Sequence, residues 1–180
     1  RETSFELEAT KALTGENAPE NAEFTFVLAK DGVELQRKTV TKDQTAKFDP
    51  ITVYAAGEYK YTITEVNGGV PGMAYDAVAH EAVVTVTEDS TTGAISAEVK
   101  YDGENALTIT NTYTTTSYKP YVEKNLTGDT TLYKADETFN FVMTRKDAPE
   151  GAEAFEDVTA SCKAYDTAWF EEITYTVPGT

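Results

Sequence analysis

The sequence predicts an all-β protein built from antiparallel β-sandwich domains in tandem. Three observations favour this fold: Val, Thr, Tyr and Phe dominate the periodic stretches, apolar and polar residues alternate in short runs, and turn signals separate the runs. The turn signals include Lys30-Asp31-Gly32, Asn67-Gly68-Gly69 and Tyr101-Asp102-Gly103. No long stretch carries the apolar period of a helix, so an α or α/β fold is not expected.

The first part of the chain contains a series of predicted strands and one long loop around Pro71. The strands lie near residues 4–13, 23–30, 33–40, 45–54, 58–66, 81–88, 94–101 and 106–114. Alternation gives each strand one apolar and one polar face, as expected where two sheets enclose a core. The pattern therefore predicts that residues 1–114 form one domain, an antiparallel sandwich or barrel, of which we favour the sandwich.

A second domain of the same type is predicted after a linker. Residues 115–120 are small or polar and end in proline, which is typical of a linker, and the earlier pattern then begins again in residues 121–180. The repeated segments are Lys11-Ala12-Leu13-Thr14-Gly15 with Lys124-Asn125-Leu126-Thr127-Gly128, and Phe24-Thr25-Phe26-Val27 with Phe139-Asn140-Phe141-Val142. The second copy lacks its last strands, so we expect a domain that is truncated, present only in part, or completed by another chain.

The composition narrows the classes of function. A net charge of −16 repels nucleic-acid phosphates and anionic lipid surfaces, so neither nucleic-acid binding nor membrane insertion is expected. Cys162 is the only cysteine and His80 the only histidine, which leaves no disulfide, zinc site or catalytic triad. We expect no metal and no cofactor, a buried free thiol at Cys162 and a surface position for His80.

Three polar residues fall on the apolar faces of predicted strands. Side chains two residues apart on a strand share a face. Lys11 shares a face with Leu7, Ala9 and Leu13, Glu65 shares one with Tyr61 and Ile63, and Asn111 shares one with Leu107 and Ile109. A buried charge without a partner costs several kcal/mol. The placement of Lys11, Glu65 and Asn111 therefore calls for a chemical or an electrostatic explanation.

Two explanations are open from the residues alone. Burial lowers the pKa of a lysine and raises that of a carboxylic acid. A neutral Lys11 amine could then attack the carboxamide carbon of Asn111 while Glu65 transfers protons and ammonia leaves. The alternative is a buried Lys11–Glu65 salt bridge with Asn111 hydrogen-bonded nearby, or side chains that face outward.

Several motifs, in order, resemble the streptococcal-type pilin isopeptide-linkage domain, which is found in backbone pilins and repetitive surface adhesins. The motifs are Glu8-Ala9-Thr10-Lys11-Ala12-Leu13-Thr14-Gly15, Phe24-Thr25-Phe26, Tyr59-Lys60-Tyr61-Thr62-Ile63-Thr64-Glu65-Val66, Tyr75-Asp76 and Leu107-Thr108-Ile109-Thr110-Asn111-Thr112-Tyr113. The resemblance covers about residues 4–114 and partly 121–180. It implies tandem Ig-like sandwiches of the Cna protein B type, the second incomplete, and an isopeptide bond between Lys11 and Asn111 that Glu65 catalyses.

The resemblance also implies a function. It indicates a structural stalk or shaft domain of a Gram-positive pilus or adhesin, on the cell wall or pilus, that cross-links itself once and is not a turnover enzyme. The expected partners are neighbouring domains or subunits of the same fibre. One alternative is an adhesin domain that binds a host surface ligand through the loop Val70–Ala79, and another is an accessory domain of an enzyme.

Two further lysines are candidates for cross-links. Lys124 matches the family lysine in the second domain, but no glutamate box or suitably placed asparagine follows it in the chain. Lys119 lies in the predicted linker and could join subunits, although a solvated linker lysine is the simpler interpretation.

Overall fold

The computed structural model describes residues 2–176, which fold as strands, turns and loops. Residue 1 and residues 177–180, the end of the predicted second domain, lie outside the described residues. The chain divides into two compact units, Arg1–Thr114 and Thr115–Thr180. No helix in the described range is long and apolar enough to cross a membrane.

The first unit is a β-sandwich. Its strands are β1 (Thr3–Phe5), β2 (Glu8–Thr14), β3 (Phe24–Lys30), β4 (Val33–Val40), β5 (Thr45–Lys47), β6 (Ile51–Val53), β7 (Gly57–Glu65), β8 (Met73–Ala74), β9 (His80–Glu88), β10 (Ile95–Tyr101) and β11 (Thr108–Tyr113). One sheet has the order β10-β9-β7-β3-β4, a second has the order β5-β2-β11-β8, and β1 pairs with β6. The pairing is antiparallel except between β2 and β11, which run parallel. The predicted all-β, antiparallel sandwich class is confirmed.

Two predicted strands are each divided in the structure. Residues 4–13 form β1 and β2, and residues 45–54 form β5 and β6. The ladders β2–β5 and β1–β6 lie on either side of the same break, where the Phe48 N–H donates to the Leu7 carbonyl oxygen at 2.9 Å. Pro50 has no N–H to continue a ladder, which accounts for the interruption in the second strand.

The core of the first unit takes side chains from both sheets. Its fully buried members include Leu7, Phe26, Leu28, Ile63, Val84 and Ile109. They alternate with more exposed residues along each strand, as in β3, because successive side chains point to opposite faces. Asp31 and Gly32 connect β3 to β4 with φ angles of 51° and 77°, the positive values that a tight hairpin turn requires.

The second unit consists of three two-stranded ladders in its described part. Its strands are β12 (Thr116–Tyr118), β13 (Tyr121–Glu123), β14 (Phe139–Met143), β15 (Val158–Cys162), β16 (Thr167–Trp169) and β17 (Ile173–Tyr175). They pair as β12–β17, β13–β16 and β14–β15. Residues 116–118, which fall in the predicted linker, thus pair with β17. Cys162 is buried, as expected, and its thiol donates to the Asp166 carbonyl oxygen at 3.4 Å.

Candidate functional site

Lys11 and Asn111 lie on the neighbouring parallel strands β2 and β11. Lys11 is paired with Ile109, and Asn111 with Leu13, so the two polar residues are one diagonal step apart on the same face. Both residues are 0 % exposed, backbone and side chain together. The alternation of β2 and β11 therefore directs a lysine and an asparagine into the same apolar interior.

Glu65 reaches these residues from the opposite sheet. It ends β7, where it pairs with Phe26 of β3, and its side chain is 0 % exposed. Lys11 Nζ donates to Glu65 Oε1 at 2.7 Å, and Asn111 Nδ2 donates to the same oxygen at 3.1 Å. The structure thus brings all three predicted residues together around one carboxylate oxygen.

Aromatic rings enclose the lysine amine. Lys11 Nζ lies 4.5 Å from the centre of the Phe24 ring and 5.9 Å from that of Phe26. Burial lowers the pKa of Lys11 below its ordinary value, against the opposing effects of the hydrogen bond and charge of Glu65 and of the charge of Asp76. Because of this shift, the amine gives up its proton more readily than an exposed lysine does.

The backbone N–H of Asp76 is a further member of the site. It donates to Glu65 Oε2 at 2.9 Å and to Asn111 Oδ1 at 3.3 Å. Sequence reasoning gave Asp76 no role, because a backbone donor leaves no trace in side-chain patterns. With this contact the polar atoms of the site are satisfied, and within residues 2–176 no buried side-chain nitrogen or oxygen lacks a partner.

The expectation that His80 lies at the surface is wrong. Its side chain is 13 % exposed and sits between two carboxylates, with Nδ1 2.7 Å from Asp102 Oδ2 and Nε2 3.2 Å from Asp76 Oδ2. Burial lowers the pKa of His80, but the hydrogen bonds to Asp102 and Asp76 outweigh that effect and raise it above its ordinary value. The loop and turn that supply these carboxylates meet only in the folded chain, so the local sequence does not reveal them.

The other candidate residues lie outside this cluster. Lys119 is exposed, and Lys124 of the second unit is partly buried with Nζ 4.7 Å from the centre of the Phe139 ring. This contact repeats the one between Lys11 and Phe24. Within the described residues, no group of three or more His, Cys, Asp or Glu side chains is placed to hold a metal ion.

The loop Val70–Ala79 does not present its aromatic residue to solvent. Tyr75 is partly buried and packs against Phe24 with the ring centres 6.2 Å apart. The clustered exposed aromatic residues that would favour ligand binding by this loop are therefore not found among its side chains.

Solved structures share the fold of the whole described chain. The major pilin protein (T-13) from Streptococcus pyogenes aligns with a TM-score of 0.58 at 18 % identity, over 98 % of this chain and 79 % of that chain. A second major pilin from Streptococcus pyogenes aligns with a TM-score of 0.53 at 19 % identity, over 97 % of this chain and 74 % of that chain. At such identities the likeness is one of fold. No curated protein sequence matches the chain significantly.

The family is shown by the sequence of the first unit. Residues 7–114, which include Lys11, Glu65, Asp76 and Asn111, match the family FctA, described as the Spy0128-like isopeptide containing domain. The match covers more than half of the chain and ends where the first unit ends. The chain therefore belongs to the FctA family of Spy0128-like isopeptide containing domains.

Proposed function

We propose that this chain is a structural part of a Gram-positive surface pilus or adhesin whose first unit, residues 1–114, cross-links itself through an isopeptide bond between Lys11 and Asn111. The supporting observation is the shared contact of Lys11 Nζ and Asn111 Nδ2 with Glu65 Oε1 in an apolar interior. The amine, the amide and the proton acceptor are thus already within reach of one another, which a self-catalysed amide exchange requires.

The reaction proceeds in two proton-coupled steps. The Lys11 ammonium gives a proton to Glu65 Oε1, and the neutral amine attacks Cγ of Asn111. Glu65 then takes a second proton from the attacking nitrogen and delivers one to Nδ2, so that the Cγ–Nδ2 bond breaks and ammonia leaves. The new bond joins Nζ to Cγ. A buried ion pair is replaced by a neutral amide, which removes the desolvation penalty of the two charges.

The alternative, a permanent Lys11–Glu65 salt bridge, uses the same contact but leaves the Asn111 amide without a chemical role. Replacing buried ion pairs by neutral groups is often neutral or stabilising, so a salt bridge alone gives little reason for this arrangement. Membership of an isopeptide containing family favours the covalent bond.

Intact mass distinguishes the two alternatives. We expect the folded chain to weigh about 17 Da less than its sequence, because one ammonia is lost when the amide forms. Glu65→Gln keeps the shape of the side chain but cannot accept the proton, so this variant should have its full mass. Asp89→Asn, a change to an exposed carboxylate in the β9–β10 turn, is the matched control and should keep the deficit. A wild-type chain of full mass would leave the salt bridge as the correct interpretation.

The mechanical role follows from the position of the bond. Lys11 lies on the first long strand and Asn111 on the last strand of the unit, so a force between the ends passes from residue 11 to residue 111 through a covalent bond. The residues between them carry no load. This property suits a stalk or shaft domain, for which the partners are neighbouring domains or subunits of the same fibre at the cell surface.

Single-molecule pulling tests this role. We expect the wild-type first unit to show almost no unfolding extension, since only the few residues outside the cross-link can stretch. Asn111→Ala should release roughly 330–360 Å of chain, at about 3.3–3.6 Å per residue for about 100 residues. An equal extension for both proteins would contradict the proposal even if the mass deficit were present.

A further inference from the structure

Asn111 Oδ1 is the atom that gains negative charge when the amine attacks. Within the proposed function, that charge needs a hydrogen-bond donor. The N–H of Asp76 is such a donor, and it is shared between Asn111 Oδ1 at 3.3 Å and Glu65 Oε2 at 2.9 Å. Such contacts are often long before reaction and tighten as the charge develops.

The Asp76 side chain helps to hold this N–H in place. Asp76 Oδ1 accepts a hydrogen bond from the Val78 N–H at 2.7 Å, and Asp76 Oδ2 lies 3.2 Å from His80 Nε2. The carboxylate is therefore held on both oxygens. These contacts restrain the loop before β9, which carries the Asp76 N–H.

His80 is in turn fixed by Asp102. The Asp102 side chain accepts from His80 through Oδ2 at 2.7 Å and from the Glu81 N–H through Oδ1 at 2.8 Å, and its own N–H donates to the Glu81 carbonyl oxygen at 2.8 Å. Both ring nitrogens of His80 thus face carboxylates, an arrangement that suits the doubly protonated imidazolium. Asp102, His80 and Asp76 form a continuous series of contacts from the β10–β11 turn to the reacting amide.

The charge of His80 has a second consequence for the site. The charge of Asp76 favours the ammonium form of Lys11, the form that cannot attack. An imidazolium beside Asp76 offsets that charge. Two carboxylates contact His80 directly, that of Asp76 in the preceding loop and that of Asp102 in the β10–β11 turn. The other charged groups nearby are Lys11 and Glu65, and Glu65 ends the adjacent strand β7.

We propose that the Asp76 N–H stabilises the oxyanion on Asn111 Oδ1, and that His80 is a positioning residue that holds this N–H in place by bridging Asp76 and Asp102. The proposal rests on the proposed cross-linking reaction and assigns a regulator to it. The bond then forms efficiently only while His80 carries its proton.

The rate of bond formation as a function of pH tests the positioning role. Full-length chain recovered in denaturant before it folds is diluted into native buffers between about pH 5.5 and 9, around the ordinary His pKa. Samples are quenched in denaturant, and intact mass gives the fraction that has lost ammonia. We expect the wild-type rate to fall as pH rises through the raised pKa of His80, hence at a pH above about 6.5.

Two variants and a control separate positioning from simple stability. His80→Gln should slow the reaction about tenfold or more and remove this fall with pH, since its side chain does not titrate. Asp102→Asn should keep the fall but move it to lower pH, a shift that a purely structural role would not produce. Asp89→Asn should match the wild type in rate and profile.

The Asp76 N–H can be tested directly by replacing the peptide bond between Tyr75 and Asp76 with an ester in the semisynthetic full chain. This change removes the donor to both Asn111 Oδ1 and Glu65 Oε2 and keeps every side chain, and we expect a loss of about 100-fold in rate. An unchanged rate would overturn the oxyanion role.

An unchanged pH profile in both His80→Gln and Asp102→Asn would overturn the positioning role, while the wild-type mass deficit would still support the cross-link. A wild type that never loses ammonia would overturn the cross-link itself.

Discussion

Asn111→Ala is expected to lower the free energy of unfolding of the first unit by about 4–5 kcal/mol. The cross-link closes a loop of about 100 residues and thereby restricts the unfolded chain, which by loop entropy is worth about 4.7 kcal/mol. For a domain of this size the midpoint of thermal unfolding should fall by about 20 °C or more. Thermal and denaturant melts followed by far-UV circular dichroism measure both quantities.

The Asn111→Ala variant removes the bond while the rest of the site remains paired. Glu65 keeps Lys11 on Oε1 and the Asp76 N–H on Oε2. Glu65→Gln also blocks the bond but leaves the Lys11 ammonium without its carboxylate, so it should destabilise the unit further. Asn105→Ala, at an exposed position, is the control and should change stability by about 0.5 kcal/mol or less.

The second unit provides an internal reference for these melts. Trp169 is the only tryptophan of the chain and belongs to the second unit, so its fluorescence follows the unfolding of that unit. A stability loss seen only in the tryptophan signal, or an Asn111→Ala variant that melts like the wild type, would contradict the predicted role of the bond.

Gly15→Ala is expected to destabilise the first unit by at least about 3 kcal/mol, through a combination of backbone strain and steric clash. Gly15 follows β2 with a φ of 112°, and an added Cβ would lie 1.9 Å from the carbonyl oxygen of Tyr113 at the end of β11. Backbone atoms cannot move aside as a flexible side chain can. The clash would separate the parallel strands that carry Lys11 and Asn111.

Gly32→Ala is the matched control for Gly15→Ala. Gly32 also has a positive φ, 77°, but an added Cβ would meet no atom within 4 Å. It should therefore show only the cost of the left-handed backbone, about 1 kcal/mol. Both changes are best compared in the Asn111→Ala background, where unfolding is not limited by a cross-link. Equal losses for the two variants would show that the approach of Gly15 to Tyr113 is unimportant.

The sequence predicts those features of the structure that depend on the alternation of residues along a single strand. The alternation in β2 and β11 predicted that Lys11 and Asn111 point inward, and both are fully buried. The same local pattern does not show where a strand changes partner, so it does not reveal the breaks near Leu7 and Phe48. Nor does it reveal β8, because Met73–Ala74 is too short to display a period and forms only by pairing with β11.

The amino-acid sequence alone thus determined the all-β class, the family resemblance and the inward direction of the lysine, glutamate and asparagine. Only the tertiary structure decided which groups meet: the parallel contact of β2 with β11, the Asp76 N–H against Asn111, and His80 between Asp76 and Asp102. The physical reason is the distance along the chain between the residues that interact. Side-chain direction follows from a two-residue repeat, whereas partners far apart in the chain are selected by closing loops and burying the core as a whole.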